Sequence, residues 1–392
     1  MKIGLALSGG GFRATVFHLG VLARLAEENY LEDVTFISTV SGGSLCAGLI
    51  YAQSGWGWPS SGHMKDAALP KARELLTTQD LELGLIERVL RSPLHLFETK
   101  ANELSALMQE RWGITAKLHD LAPQPRWLIN ATCYETGKDW RFEHFRMGDY
   151  KFGYTFDTNI PLSDAMAASA GFPGLIGALT LNTRPYSWFK YTDKSKELKE
   201  PTDPDSDMKR TTVSITPPYP KVHLWDGGAY DNLGLESLHN FIEGWREGVD
   251  FLVVSDASGK SGPEAYQIGP KALLRMITGI MMDQIRSLRA RAIWERFINH
   301  KDAGGFFQIG NTCKGVLENA GRQDDVARLC PQCMSAEEAR LAAATPTMIR
   351  RLTQEEFERL FRHGFEVADY TLYGYYPDQF KFIGYANSRW GR

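Results

Sequence analysis

The sequence predicts an α/β fold, a parallel or mixed sheet with helices on its faces. Three observations predict it. Residues 1–52 read strand, glycine loop, helix, strand, tight turn, helix, an alternation that stacks helices against a sheet. Apolar strands recur later, at "KVHLWD" and "DFLVVSD". The chain has 392 residues, 43% of them hydrophobic, enough core for one large domain with insertions or for two. With no linker-like stretch and no internal repeat, residues 1–392 are expected to form a single domain.

In order along the chain, Lys2–Leu7 is a short apolar run, read as a buried strand. Thr15–Glu28 places Phe17, Val21, Leu22 and Leu25 on one face and reads as a helix. Val34–Val40 is β-branched and apolar, a strand, and Ser44–Ala52 reads as the helix after it. Residues 53–63, "QSGWGWPSSGH", form a loop with two tryptophans. Residues 65–121 look mainly helical. Arg126–Phe145 reads as a hairpin turning near Gly137, and Leu162–Ile176 as a small-residue helix ended by Gly171 and Pro173. Residues 192–211 are almost wholly polar and read as an exposed insertion. Lys221–Glu236 is a strand entering a glycine turn, and "DFLVVSDAS" is another buried strand. Ala272–Asn299, Ala336–Ala344 and Thr353–Tyr370 read as helices. Residues 300–392 are therefore expected to be a mainly helical C-terminal extension of the same domain.

Composition excludes some functions. Charged residues make up 23% and the net charge is −3, so bulk nucleic-acid binding is not expected. Aromatic residues at 11% argue against disorder. The five cysteines are odd in number and mostly far apart, which suits a reducing compartment. The start lacks a small-residue cleavage site, and no run approaches 18 apolar residues. A cytoplasmic location is expected, with room for peripheral contact at a membrane surface. No motif calls for a cofactor.

The chemistry gathers around two glycine clusters. In "STVSGGS" (Ser38–Ser44), Ser41 sits between a strand and a helix, with Gly42 and Gly43 directly after it. A nucleophile elbow needs that arrangement, because small neighbours let the backbone fold tightly around a strained serine. The commonest pattern is G-x-S-x-G, and here Thr39 takes the place of the first glycine. Taken alone, the motif also fits a plain strand-to-helix turn. Ser38 falls inside the strand and Ser44 a turn into the helix, so both are weaker candidates.

A serine needs a base. None of the nine histidines has a triad context; His18, His239 and His363 are the ones to weigh. Asp226 is the better candidate. It ends an apolar strand and precedes Gly227 and Gly228, and strand C-termini in a parallel or mixed sheet gather along one edge. Its alternative is a turn cap. The first cluster, "SGGGFRA", then gains a purpose. Gly9, Gly10 and Gly11 can turn backbone N–H groups toward a developing oxyanion at a helix start, worth about 3–4 kcal/mol. Arg13 adds charge or braces the loop. A phosphate cradle fits less well, because neither G-x-x-x-x-G-K-[ST] nor G-x-G-x-x-G is present.

Four segments together, "SGGGFRA", "STVSGGS", "AASAGFPGL" (Ala167–Leu175) and "DGGAYDNLGLE" (Asp226–Glu236), resemble the patatin-like phospholipase family. "TPTMIRRLTQEEFERLFRHGFEVAD" (Thr345–Asp369) resembles the terminal helical part of its bacterial members. The resemblance implies a three-layer α/β/α fold with a central mixed sheet, and lipid acyl hydrolysis by a Ser–Asp dyad without histidine. It implies Ser41 as nucleophile, Asp226 as base, and Gly9–Gly11 as the oxyanion loop, with a phospholipid or other acyl lipid as substrate. Two other classes share the residues. An acyltransferase or thioesterase would use the same acyl-enzyme, though related transferases depend on a histidine where this chain has "DGG". A lipid-binding scaffold, or a lipase effector switched by a partner, is the third.

Other signals carry less. Cys313, Cys330 and Cys333 contain one C-x-x-C, with His300 upstream, short of a zinc pattern. "DPDSD" (Asp203–Asp207) has Met208 where a calcium loop needs glycine. Trp56, Trp58, Tyr186, Trp188, Phe189 and Tyr191 either dip into a lipid interface or cover the core. Met281–Phe297 is amphipathic with four arginines, read as a solvated face.

Overall fold

In a computed structural model, residues 1–91, 100–192, 212–240, 242–259, 262–300 and 303–391 are described. The expected polar insertion falls, after Thr192, outside them. The N-terminal alternation becomes β1 (Ile3–Leu7), α1 (Gly11–Glu27), β2 (Val34–Thr39) and α2 (Gly42–Ala52). β1 is central, with β2 parallel on one side and β7 (Phe251–Asp256) parallel on the other. These strands are almost wholly buried, as strands covered on both faces must be. β8 (Gly304–Gln308) lies outside β7, and β3 (Arg126–Cys133) outside β2, both parallel.

From β3 the sheet turns antiparallel, through β4 (Lys138–Phe142) to Met147–Asp149, Gly153–Thr155, Trp188–Tyr191 and Thr212–Ile215. β3 also carries two partners on one edge. Residues Arg126–Ile129 pair with β2, and Ala131–Cys133 pair antiparallel with β6 (Lys221–Asp226), which in turn pairs with β5 (Leu179–Asn182). β4 holds the opposite edge, since Ile129 faces both Thr39 and Phe142. β2 and β6 therefore meet head to head, C-terminus against C-terminus. Asp226 does end level with Ser41, but not by the expected route. Its strand is antiparallel and reaches the same place from the opposite direction.

Helices cover both faces. On one, α1, α2, α3 (Leu162–Ser169) and α5 (Gln354–Tyr375) share the larger core, with Phe17, Leu22, Ile50, Met166 and Phe361 inside it. On the other, Phe36, Leu128, Leu252 and Val254 pack against Leu233, Leu235 and Ile293 of α4 (Met282–Glu295). α1 and α5 cross at touching distance: a Cβ on Gly364 would lie 2.0 Å from the Phe17 carbonyl oxygen. Arg24 of α1 pairs with Asp369 of α5 at 2.5 Å, both buried.

Several elements depart from expectation. The helix expected over Leu162–Ile176 ends at Ser169, and a turn follows. α1 starts at Gly11, four residues before Thr15, because the glycine loop is itself the opening of the helix. β8 is a strand in a region read as helical; its "GGFFQ" is too short and glycine-led to signal one. Among the described residues no helix is long and apolar enough to cross a membrane.

Candidate active site

Ser41 stands where β2 stops and α2 starts, at φ 49° and ψ −115°. A non-glycine residue with positive φ is strained, and surrounding structure must hold it there. A relay of hydroxyls does so. Trp127 Nε1 donates to Thr39 Oγ1 at 2.9 Å, and the Thr39 and Ser44 hydroxyls lie 2.8 Å apart. Ser44 and Ser169 hydroxyls are also 2.8 Å apart, and the Ser41 N–H donates to Ser169 Oγ at 3.0 Å. Thr39, the departure from the commonest elbow pattern, is thus a member of the relay. Gly42 is required sterically, since a Cβ there would lie 2.3 Å from the Gly11 carbonyl oxygen. Ser38 stays in its strand and accepts from Asn130 Nδ2 at 2.9 Å.

The end of α3 also clasps Asp226. The Asp226 N–H donates to Gly171 O at 3.2 Å, and the Gly227 N–H to Ser169 O at 3.2 Å. Ser169 therefore fixes the serine turn with its hydroxyl and the aspartate turn with its carbonyl. The Asp226 carboxylate accepts from the Gly228 N–H at 2.7 Å. Burial pushes its carboxyl up to about 6, against the opposite pulls of the Gly228 N–H and the neighbouring Ser41 hydroxyl.

Gly10 and Gly11 adopt φ 146° and 58°, which only glycine accepts readily. Both line a cavity of about 240 Å³ together with Ser41 and Asp226. They stand at the start of α1, where the first N–H groups have no partner within the helix. Gly9 and Arg13 hold the loop by other contacts. The Gly9 N–H is already bonded to Asn232 O at 3.1 Å, and the residue serves by size, since a Cβ there would lie 3.1 Å from Ser41 Cβ. Arg13 does not line the cavity. Its Nε donates to Ala257 O at 3.1 Å and its Nη1 to Thr345 O at 2.6 Å, so it braces the loop against β7 and the C-terminal region. Burial lowers the guanidinium to about 10.

The cavity wall is apolar at Phe172, Leu175, Ile176, Met282, Met348 and Ile349. Among the described residues, no histidine lines it. His18 is buried, its Nε2–H donating to Ser8 O at 2.9 Å and its Nδ1 accepting from Ser255 Oγ at 2.7 Å. Burial lowers it to about 4, so it is a neutral structural ring. His363 is buried too; its Nε2 accepts from the Gly310 N–H at 2.8 Å, and burial lowers it to about 4.

Sequence reasoning missed Ser169, Asn232 and Met348. Met348 comes from the C-terminal region and holds the glycine loop through Phe12 N–H to Met348 O, 2.9 Å. The arginine helix also differs from its reading as a solvated face. Arg286 lines the cavity and pairs with Asp256 at 2.9 Å and Asp283 at 3.0 Å, while Arg289 pairs with Asp231 and Glu236. Of the aromatic residues, Trp56, Trp58, Tyr186 and Trp188 cover the core, while Phe189 and Tyr191 are half-buried outside it. Trp188 is fully buried among Trp140 and Phe152, and Trp56 and Trp58 pack against the main core. The five cysteines are free thiols, and among the described residues no cluster of His, Cys, Asp or Glu is arranged to hold a metal ion.

A family model described as patatin-like phospholipase matches residues 5–239, well over half the chain. No curated protein matches it. Among solved structures, the chain is similar to human GIVD cytosolic phospholipase A2, with 17% identity and a TM-score of 0.52, covering 95% of this chain and 61% of that one. The same human protein in complex with methyl gamma-linolenyl fluorophosphonate gives 16% identity and a TM-score of 0.49, over 95% and 57%. VipD from Legionella pneumophila gives 11% identity and a TM-score of 0.33, over 94% and 66%. The chain thus spans less than two thirds of the length of the human protein.

Proposed function

The chain belongs to the patatin-like phospholipase family, and from that premise we propose that it hydrolyses acyl esters of phospholipids or related lipids through an acyl-enzyme on Ser41. The observation that carries this is the placement of a strained serine and a buried aspartate in one apolar-walled cavity, both fixed by Ser169. Ser41 Oγ attacks the ester carbonyl carbon while the Asp226 carboxylate takes the hydroxyl proton. The ester C–O bond breaks and the leaving alcohol takes that proton. Water then attacks the acyl carbon and gives its proton to Asp226. The proton returns to Ser41 as the acyl–Oγ bond breaks and the fatty acid leaves.

At each tetrahedral stage the N–H groups of Gly10 and Gly11 hold the oxyanion, about 3–4 kcal/mol of help that water would not supply in place. An Asp acts as base here because its proton affinity is raised toward neutrality by burial. The cavity wall at Phe172, Leu175 and Ile176 takes the acyl chain. Free thiols throughout suit a cytoplasmic location, with the substrate met at a membrane surface.

The test is labelling with a fluorophosphonate and turnover of a soluble ester. Wild type should label and turn over; folded Ser41→Ala and Asp226→Asn should each lose turnover by about 10³-fold or more, and together no more than singly, since they act as one unit. His18→Gln, His239→Gln and His363→Gln form the contrast. A folded, inactive histidine variant beside an active Asp226→Asn would replace the dyad with a Ser–His pair.

A further inference from the structure

One stretch of the molecule is apolar and uncovered. Tyr266, Ile268, Leu273, Leu274, Met276, Ile277, Ile280 and Met281 are 42–90% exposed. The helical turns that carry most of them, Pro270–Leu274 and Arg275–Met281, contain no buried residue at all. None of these side chains belongs to either core. From Met276 to Met282 the sequence, "MITGIMM", has no charge. So large an apolar patch on a folded surface marks a binding face.

Its position identifies the occupant. The same helical run presents Thr278, Gly279, Met282 and Arg286 to the cavity that holds Ser41 and Asp226. Leu274 reaches across to Gly174, 3.7 Å from where its Cβ would be, in the segment whose Phe172, Leu175 and Ile176 line the far wall. The exposed apolar face and one wall of the cavity are thus carried by the same helical run, so the face adjoins the cavity. A protein seated on it would lie across the mouth, whereas a bilayer seated on it lies against the cavity with the acyl chains it takes. One cation supports the same occupant: Lys271 is exposed at the start of the run, where a basic side chain suits the headgroup level of an interface.

We propose that residues 266–282 are the element by which the protein seats on a phospholipid bilayer, with the outer face of this helical run entering the acyl-chain boundary. This rests on the lipid acyl hydrolase reading, and it moves the membrane contact away from the tryptophan loops, which are packed against the core. Leu273, Ile277 and Ile280 are all exposed and lie outside the cavity lining, so they can be altered without touching the site.

The test uses the full chain and phosphatidylcholine vesicles. Sedimentation with vesicles is read in the Ser41→Ala background, so that binding is measured apart from turnover. Adding Leu273→Gln, Ile277→Gln and Ile280→Gln should weaken vesicle binding by at least about tenfold. The same triple change in otherwise wild-type protein should keep hydrolysis of a soluble short-chain ester within about twofold and lower hydrolysis of vesicle lipid in step with binding. Ile277→Gln alone should give a partial loss, and it carries the test should the triple variant fail to fold. Unchanged vesicle binding in folded variants overturns the proposal. So does a dimer that the triple change dissociates while vesicle binding persists, which would assign the face to a second copy. Failure of the hydrolase reading looks different: wild type would bind vesicles yet be inert on both esters.

Discussion

Asp226 faces two opposed demands. As a base it must be ionised, yet burial favours its neutral form and pushes it up to about 6 from 3.8. Activity therefore depends on pH in one direction. kcat/KM should climb as pH rises through about 6 and level off above it, and ester turnover measured from pH 4 to 8 checks this. Stability runs the other way. A carboxyl whose folded pKa is raised binds its proton more tightly when folded, so its contribution is fully present below 3.8 and lost as pH rises through about 6. Near pH 8 the buried carboxylate costs up to about 3 kcal/mol. Asp226→Asn should consequently melt higher than wild type at pH 8 and equally at pH 3.5, while losing the hydrolysis that wild type shows at pH 8. Thermal unfolding at the two pH values is the measurement. Equal melting at pH 8 would mean the carboxyl is not desolvated as its burial implies.

At the scale of elements, the glycine loop between β1 and α1 is held by backbone conformation. Gly10 has φ 146°, and a Cβ there would lie 2.7 Å from the Ala257 carbonyl oxygen and 3.1 Å from Ala14 Cβ. Gly10→Ala should lower kcat more than it raises KM, because oxyanion donors act as charge develops. It should also lower Tm, because the loop must shift away from β7 to admit the methyl group. Michaelis parameters read beside a melt decide it; loss confined to KM would make the loop a ground-state contact. How far these elements were legible depended on where their signals lay. β1, β2 and β7 are buried on both faces, so their apolar runs announced them. The Ser41 turn and the Asp226 turn were legible because glycines at fixed offsets are local. The direction of β6 was not, since nothing in "KVHLWD" says whether its neighbour runs with it or against it. Ser169 looked like any serine in a small-residue helix; its role arises only when α3 meets both turns. Arg286 and Arg289 of α4 have partners at Asp231, Glu236 and Asp256, on other segments, and an amphipathic pattern does not tell an ion-paired face from a solvated one.

The whole molecule is tied together by a region that read as an extension. β8 adds to the main sheet beside β7, and α5 covers α1 so closely that Gly20 and Gly364 have no room for a Cβ. Asp369 accepts from Arg24 at 2.5 Å and from the N–H groups of Ile383 and Gly384 at 3.1 and 2.8 Å. The glycine loop itself leans on this region, through Phe12 N–H to Met348 O and Arg13 Nη1 to Thr345 O. Residues 1–392 should accordingly unfold as one unit, with the site lost in the same transition. Removing one partner from a buried ion pair costs up to about 3–5 kcal/mol, and here the lower end applies, because Arg24 keeps Glu28 at 2.8 Å while the Ile383 and Gly384 N–H groups lose their acceptor. Against a usual total of about 5–15 kcal/mol, Asp369→Ala should remove a large share of the stability. Denaturant unfolding followed by tryptophan fluorescence and by ester turnover checks both parts. The two curves should coincide and move together to lower denaturant in Asp369→Ala. If turnover instead survives after the C-terminal region has melted, or a chain ending at residue 302 folds and hydrolyses ester, then the region is an appendage and the glycine loop stands without it.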